Sequence, residues 1–296
     1  MVVHAAFEES RVMPITSRHR HTEPAWMQAA FIGASVLFVG LLILLPVISV
    51  FTEAFRKGFS FYLASISDPL AMSALRLTLV TAAVTLAANL VFGLAASWLI
   101  AKFSFPGRNA LLSLIDLPFA VSPVVSGLVF VLLFGAQGWF GDSLSNHGIQ
   151  IIFATPGVVL ATIFVTFPFI ARELIPLMQE QGAEEEEAAV LLGASGWQVF
   201  RRVTLPNIRW ALVYGVVLAN ARAMGEFGAV SVVSGHIRGR TNTLPLHVEI
   251  LYNEYNFSAA FAVASLLALL ALVTLIAKAA LEWRIRAEER PAVMEE

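Results

Sequence analysis

No charged residue interrupts the chain from residue 24 to residue 52. A run of that length and apolarity is compatible with a bilayer and with little else, because about 30 Å of hydrocarbon needs roughly 20 helical residues. The run crosses with length to spare and takes up the excess by tilting. Five further apolar runs follow. They are residues 77–101, bounded by Arg76 and Lys102; 109–134, with Asp116 near its start and Pro118 and Pro123 inside; 156–171; 210–233, interrupted by Arg222 and Glu226; and 255–277. Proline removes a backbone donor and crowds the preceding turn, so the third run is expected to kink or break. The fold class that follows is an all-α membrane protein with six transmembrane helices.

Composition agrees. Hydrophobic residues make up 58% of the chain and charged ones 14%, where soluble domains carry roughly a quarter. A net charge of −2 leaves no basic face of the kind a nucleic acid requires. With no cysteine there is no disulfide framework, thiolate metal site or cysteine nucleophile. Residues 1–24 are polar, carry both signs of charge and contain no short apolar core, so they read as an N-terminal tail and not as a secretory leader. The expected organisation is a tail at 1–24, a membrane domain at 25–281 and a second tail at 282–296. Residues 135–155 read as an external loop.

Basic residues set the orientation, since segments on the cytoplasmic side retain Lys and Arg. With the N-terminus inside, the internal segments hold 13 of them, among them Lys102, Arg108, Arg172, Arg201, Arg202 and Arg209, against 5 outside (Arg56, Lys57, Arg76, Arg238 and Arg240). Both termini are therefore expected in the cytoplasm, with the charge-rich stretch 184–206 on the same side.

That stretch is the longest amphipathic, charged passage in the chain. Glu184, Glu185, Glu186 and Glu187 crowd its start, where the free N–H groups of a helix favour negative charge, and Arg201 and Arg202 close it. Gly193, Ser195 and Gly196 divide it into two short helical pieces with a bend, and Pro206 is expected to forbid simple continuation. Leu191, Leu192, Trp197, Val199 and Phe200 are apolar residues available to a partner's groove. Glu187-Ala188-Ala189, three residues, Gly193, nine residues, then Val203-Thr204-Leu205-Pro206 resembles the EAA loop of bacterial ABC-importer permeases, with Val203 for Ile as the one departure. The stretch Gly193-Ala194-Ser195-Gly196-Trp197, and the one running from Asn220-Ala221-Arg222 through Gly225-Glu226-Phe227-Gly228 to Gly235, resembles the W-type permease subunit of sulfate/thiosulfate importers.

The resemblance implies a type I ABC-importer permease fold, with its core at about residues 72–280 and a coupling loop at 172–209 that sits in a cleft of the ATP-hydrolysing subunit. Glu187, Ala188, Ala189, Gly193, Ser195, Trp197, Leu205 and Pro206 would carry that contact. It also implies a bacterial plasma (inner) membrane setting, a second homologous T-type permease, two copies of a cytosolic ATPase and a periplasmic sulfate-binding protein. ATP and Mg would be used by the ATPase, with no cofactor bound by this chain. Transport would proceed by alternating access.

Other polar residues carry two readings each. Arg222 and Glu226, four apart, read either as a structural ion pair or, with Asn220 and Ser231, as the lining of an oxyanion route. His236, Arg238 and Arg240 form a glycine-bearing loop that is either an anion-attracting outer mouth or an ordinary solvated loop. Asp116 with Pro118 and Pro123 reads as an interfacial residue beside a packing kink, or as a gate. A phosphate-binding loop of the form G-x-x-x-x-G-K-[ST] and the H-E-x-x-H motif are both missing, and Gly127 and Gly157 lack the strand context of a dinucleotide site. Enzymatic chemistry is therefore not expected. The competing functions are a molybdate or tungstate importer of the same type, a secondary carrier driven by ion gradients, and a structural scaffold.

Overall fold

The computed structural model describes residues 24–292. The expected N-terminal tail, apart from Pro24, lies outside the described residues, as does the expected C-terminal tail from residue 293. Among the described residues the chain is helical. Its helices are α1 (Ala25–Ala54), α2 (Phe59–Ile66), α3 (Pro69–Lys102), α4 (Arg108–Ala120), α5 (Pro123–Phe134), α6 (Gly141–Asn146), α7 (Thr155–Glu180), α8 (Glu184–Leu191), α9 (Gly196–Val199), a π-helical turn (Phe200–Thr204), α10 (Leu205–Met224), α11 (Gly228–Ser234), α12 (Leu244–Asn253) and α13 (Phe257–Ala292). The chain divides into two units, one ending at Ile48 and one starting at Ser49. The first is the apolar body of α1, with Phe31, Leu37 and Leu42 exposed along it.

Four helices, α1, α3, α7 and α13, are long and apolar enough to cross a membrane, and two bent pairs bring the number to six if each pair is one span. Every apolar run coincides with one of these, but the geometry departs from a row of straight rods. The third is α4 and α5 bent by 111°, and the fifth is α10 and α11 bent by 52°. Pro118 lies inside α4 and Pro123 begins α5, so proline breaks the third run far more sharply than a kink. The second run begins at Pro69, because the carboxylate of Asp68 accepts from the N–H groups of Leu70 (2.8 Å) and Ala71 (3.3 Å) and caps the helix there. Arg76, expected to bound this span, lies inside α3. The fourth continues past residue 171 to Glu180 despite Pro168 and Pro176, and α13 runs through residues 282–292, where a tail was expected. Three short helices, α2, α6 and α12, went unread.

The centre of the second unit is the contact of α3 with α7. Ala71, Ala74, Thr78, Thr81, Ala82, Thr85, Asn89, Gly93 and Ser97 recur at helical spacing along one face of α3 and are buried. Gly157, Ala161, Thr162 and Thr166 are buried on α7. Lipid tails are as apolar as any leucine, so helices in a bilayer associate through close packing of small residues and side-chain hydrogen bonds. Both are present: Asn89 Nδ2 donates to Thr166 Oγ1 at 2.7 Å. A Cβ placed on Gly93 would lie 3.1 Å from Ile170.

The shorter elements are pinned by single polar contacts. The Tyr62 hydroxyl on α2 meets Ser265 Oγ at 3.1 Å, and Tyr62 packs on Phe55 with 4.4 Å between centroids. At the start of α12, the Leu244 N–H donates to Thr78 Oγ1 of α3 at 2.8 Å. α5 and α11 touch through Gly127, where a Cβ would fall 2.7 Å from the Ala229 carbonyl oxygen and 2.9 Å from Val232 Cβ.

Two predictions follow from this packing. Gly127→Ala should destabilise the detergent-extracted protein by about 1–3 kcal/mol, the cost of forcing a methyl into a filled site. Gly225→Ala, whose Cβ would meet only the Ala221 carbonyl oxygen at 3.7 Å, should match the parent in the same thermal-unfolding measurement. The second concerns His247 on α12, a helix too short to span. Burial pushes its imidazole below the ordinary value, with Arg238 acting in the same direction and Asp68 and Glu254 opposing. The unfolded chain then binds a proton more readily than the folded one, so stability is full above the ordinary histidine pKa of about 6.5 and is lost as pH falls through it. Unfolding temperature measured at pH 7.5 and 5.5 should drop on acidification, and the drop should shrink in His247→Leu.

Candidate functional site

The stretch 184–206 folds into a helix–turn–helix whose joints are local chemistry. α8 opens with all four glutamates in its first turn, where the helix dipole favours them. It ends at Gly193, which takes the left-handed conformation (φ 88°). The Gly193 N–H donates to the Val190 carbonyl (2.9 Å) and the Ala194 N–H to the Ala189 carbonyl (3.0 Å), which is the paired closure of a Schellman turn. Two residues on, Ser195 opens α9 with a capping box. Ser195 Oγ accepts from the Gln198 N–H at 3.4 Å, and Gln198 Oε1 accepts from the Ser195 N–H at 2.8 Å. Ala188 and Ala189 thus lie at the C-terminal half of α8, with Ala188 exposed and Ala189 half-buried.

The apolar residues of this element divide into two groups. Leu191 and Leu192 are each 89% exposed and Trp197 68%, whereas Val199 is buried and Phe200 half-buried. Val199 is therefore largely withdrawn from a partner, contrary to expectation, while Phe200 keeps an accessible side. Phe200 instead packs edge-on against Trp98 of α3, 6.4 Å between centroids, and stacks on Trp197 at 5.6 Å. A hollow of about 510 Å³ opens beside Trp98, Phe103, Val190 and Leu191. Glu187 is exposed at its rim.

Pro206 does not stop the helix. The helical path runs from Gly196 to Met224 through a π turn at Phe200–Thr204, and Pro206 lies in the first turn of α10. A π turn is wider than an α turn, and the extra residue leaves room for the proline ring that a regular helix would lack. Leu205 is half-buried and Pro206 exposed.

Of the five residues considered for an anion route, Arg222 and Glu226 are brought together. Asn220 and Arg222 are half-buried on α10. Glu226 is not on the same helix as Arg222, as the spacing implied, but in the break between α10 and α11. Its side chain is 1% exposed, with Oε2 2.6 Å from Arg222 Nη1, while Oε1 accepts from the Ala229 N–H at 2.9 Å and so holds the start of α11. The carboxylate faces a narrow cavity also lined by Thr78, Thr81, Thr162 and Thr243. Ser231 Oγ donates to the Gly228 carbonyl at 2.8 Å. Arg238 is elsewhere, on the exposed loop after α11, where it pairs with Glu254 while His236 lies 3.2 Å from Glu249. The basic loop is thus matched by acids of the α12 region. Asp116 accepts from Arg172 Nε at 2.8 Å, joining α4 to α7, and the same guanidinium lies 4.5 Å from the centre of the Phe119 ring.

Sequence reasoning missed two features of this end of the molecule. The capping box was legible as Ser195-x-x-Gln198. The role of Lys102 was not, because its partner Glu186 is far away in the chain.

Residues 89–287 match the family described as "Binding-protein-dependent transport system inner membrane component". The sulfate transport system permease protein CysW of Escherichia coli (strain K12) is 54% identical over 271 residues, which is 92% of this chain and 93% of that one. The sulfate transport system permease protein CysT of the same organism is 37% identical over 244 residues, 82% of this chain and 88% of that one. Among solved structures, a chain of a bacterial alginate ABC transporter, in complex with a periplasmic protein bound to alginate pentasaccharide, superposes with a TM-score of 0.73 at 18% identity, covering 88% of this chain and 95% of that one. The fold is therefore that of an ABC-transporter permease, and the chain belongs to the family of inner-membrane components of binding-protein-dependent transport systems.

Proposed function

We propose that the chain is the membrane-spanning permease subunit of an ATP-driven importer for sulfate and thiosulfate, set in the plasma membrane of a bacterium. The observation that carries the reading is the α8–α9 helix–turn–helix. It displays Leu191, Leu192 and Trp197 outward and continues without a stop into α10. The identity to sulfate transport permeases along nearly the whole chain supports the substrate. The relation to both CysW and CysT proteins supports pairing with a second, homologous permease of the T type. Two copies of a cytosolic ATPase and a periplasmic sulfate-binding protein complete the assembly, with ATP and Mg handled by the ATPase. Both termini and α8–α9 face the cytosol, in keeping with the excess of Lys and Arg there.

In this mechanism closure of the ATPase pair displaces α8–α9 as a rigid body. Glu187 accepts charge-assisted hydrogen bonds from a basic residue of the ATPase, and the exposed leucines and Trp197 fill its groove. Movement then enters the bundle through α7 on one side and α10 on the other, and the break at Gly225–Phe227 lets α11 swing relative to α10. Glu226, held by Arg222, keeps that break ordered. The N–H groups of Arg222 that Glu226 does not engage then donate toward the anion from the half-buried side of α10.

Two outcomes are expected. In proteoliposomes holding the full assembly, Glu187→Lys and Gly193→Trp should be recovered in the membrane at parental levels yet abolish sulfate-stimulated ATP hydrolysis and uptake. The second also forces a bulky side chain into a left-handed backbone, at a cost of roughly 1–2 kcal/mol. Normal uptake by well-expressed Gly193→Trp would refute the docking role, and uptake by the chain alone without ATP would favour an ion-driven carrier. In competition uptake of labelled sulfate, unlabelled thiosulfate should compete and molybdate at equal concentration should not. Equal competition by molybdate would shift the substrate to the larger dianions.

A further inference from the structure

The four glutamates of α8 are of two kinds. Glu185 Oε2 accepts from Asn207 Nδ2 at 2.5 Å, and Glu186 Oε1 accepts from Thr204 Oγ1 at 2.6 Å while its Oε2 lies 3.2 Å from Lys102 Nζ. Lys102, the last residue of α3, also donates to the Gly182 carbonyl just ahead of α8. Glu184 and Glu187 remain exposed. Two of the acids are thus engaged by neighbouring side chains, and of the four only Glu186 is partly buried.

α8 has no buried residue of its own. The chain enters and leaves it through glycines in the left-handed conformation, Gly182 (φ 65°) and Gly193 (φ 88°). Apolar burial does not fix where α8 points, and an element not fastened to the bundle would pivot instead of transmitting force. The fastenings of α8 are carboxylates: Glu185 ties it to Asn207 of α10, and Glu186 sits where the end of α3, the start of α8 and the π turn meet. The Lys102 and Glu186 side chains are only 10% and 17% exposed, so the pair is screened less than a surface pair and its hydrogen bonds are charge-assisted.

We infer that Lys102 and Glu186 form a permanent clasp that positions α8–α9 against α3, so that displacement of the docking element is carried into the second span as well as into α7 and α10. Lys102 is a positioning residue: it acts on the ATPase through α8 and does not touch it. The inference rests on the docking role proposed above for α8–α9.

The test uses the reconstituted assembly with its binding protein, reading basal ATP hydrolysis, sulfate-stimulated hydrolysis and uptake per ATP separately. Lys102→Met should co-purify with the ATPase and keep basal hydrolysis, while uptake per ATP falls at least about tenfold, the scale of one lost charge-assisted hydrogen bond. Lys102→Arg should retain coupling. Retention of full coupling by Lys102→Met would overturn the clasp. Because the chain has no cysteine, Lys102→Cys with Glu186→Cys gives a second route that does not depend on recovering the methionine variant. Bridged by a reducible bifunctional methanethiosulfonate, the pair should couple; after reduction it should not. Coupling that survives reduction, or a bridged form that stalls, would refute a clasp that stays closed through the cycle. Glu187→Lys in the same preparation separates the two claims. If it leaves coupling intact the docking role itself fails, whereas its loss alongside an unaffected Lys102→Met removes the clasp alone.

Discussion

Helices in lipid gain nothing from hiding apolar surface from one another, and this architecture depends on the one alternative, close approach. The α3–α7 seam supplies it with alanine, glycine and threonine, and closes it with the Asn89–Thr166 hydrogen bond. Large aliphatic side chains such as Leu79, Val84 and Val91 are left on the outside of α3, the reverse of a water-soluble bundle. The other elements take their place from that seam. α10 packs on α7 and α3, the start of α12 is tied to Thr78, and α8 is tied to the last residue of α3.

In the proposed mechanism the moving parts lie where this tight packing gives way. The bent pairs interrupt the spans at Val121–Ser122 and at Gly225–Phe227, and the docking element sits between two long helices that enter the seam. Rigid core and movable joints are thus separated by residue type: small and tightly packed in one, proline, glycine and ion-paired in the other. Glu226 shows how costly a joint is to keep ordered. A carboxylate withdrawn from water is tolerable only with a cation and a backbone N–H to hold it, and Arg222 and Ala229 supply them.

Much of this was legible in the chain itself. Six apolar runs mark the spanning elements, since long apolar segments have few other fates, and the glycines and serine at residues 193–196 mark the bend between α8 and α9. What escaped was set by contacts distant in sequence or by competing local chemistry. A break at Pro118 and Pro123 was expected, but its size, 111°, is not set by the two prolines' positions in the sequence. α2 and α12 are too short for a periodic signal and exist because Tyr62 and Leu244 find partners on α13 and α3. Arg222 and Glu226 have helical spacing, yet the helix ends between them. Phe200 packs on Trp98, which nothing nearby in the chain announces.

The π turn at Phe200–Thr204 has a consequence for phase. Buried Val199 and Thr204 are five residues apart, and Ile208 follows four later. On an uninterrupted α-helix, a step of five would swing the second side chain well away from the first, since each residue advances about 100°. The wider turn absorbs the extra residue, so Val199, Thr204 and Ile208 share one face and Trp197 keeps to the opposite side. The insertion therefore works as an angular spacer. Taking one residue out of it would rotate the outward-facing surface by about a quarter turn relative to the bundle while leaving every apolar contact partner in the sequence.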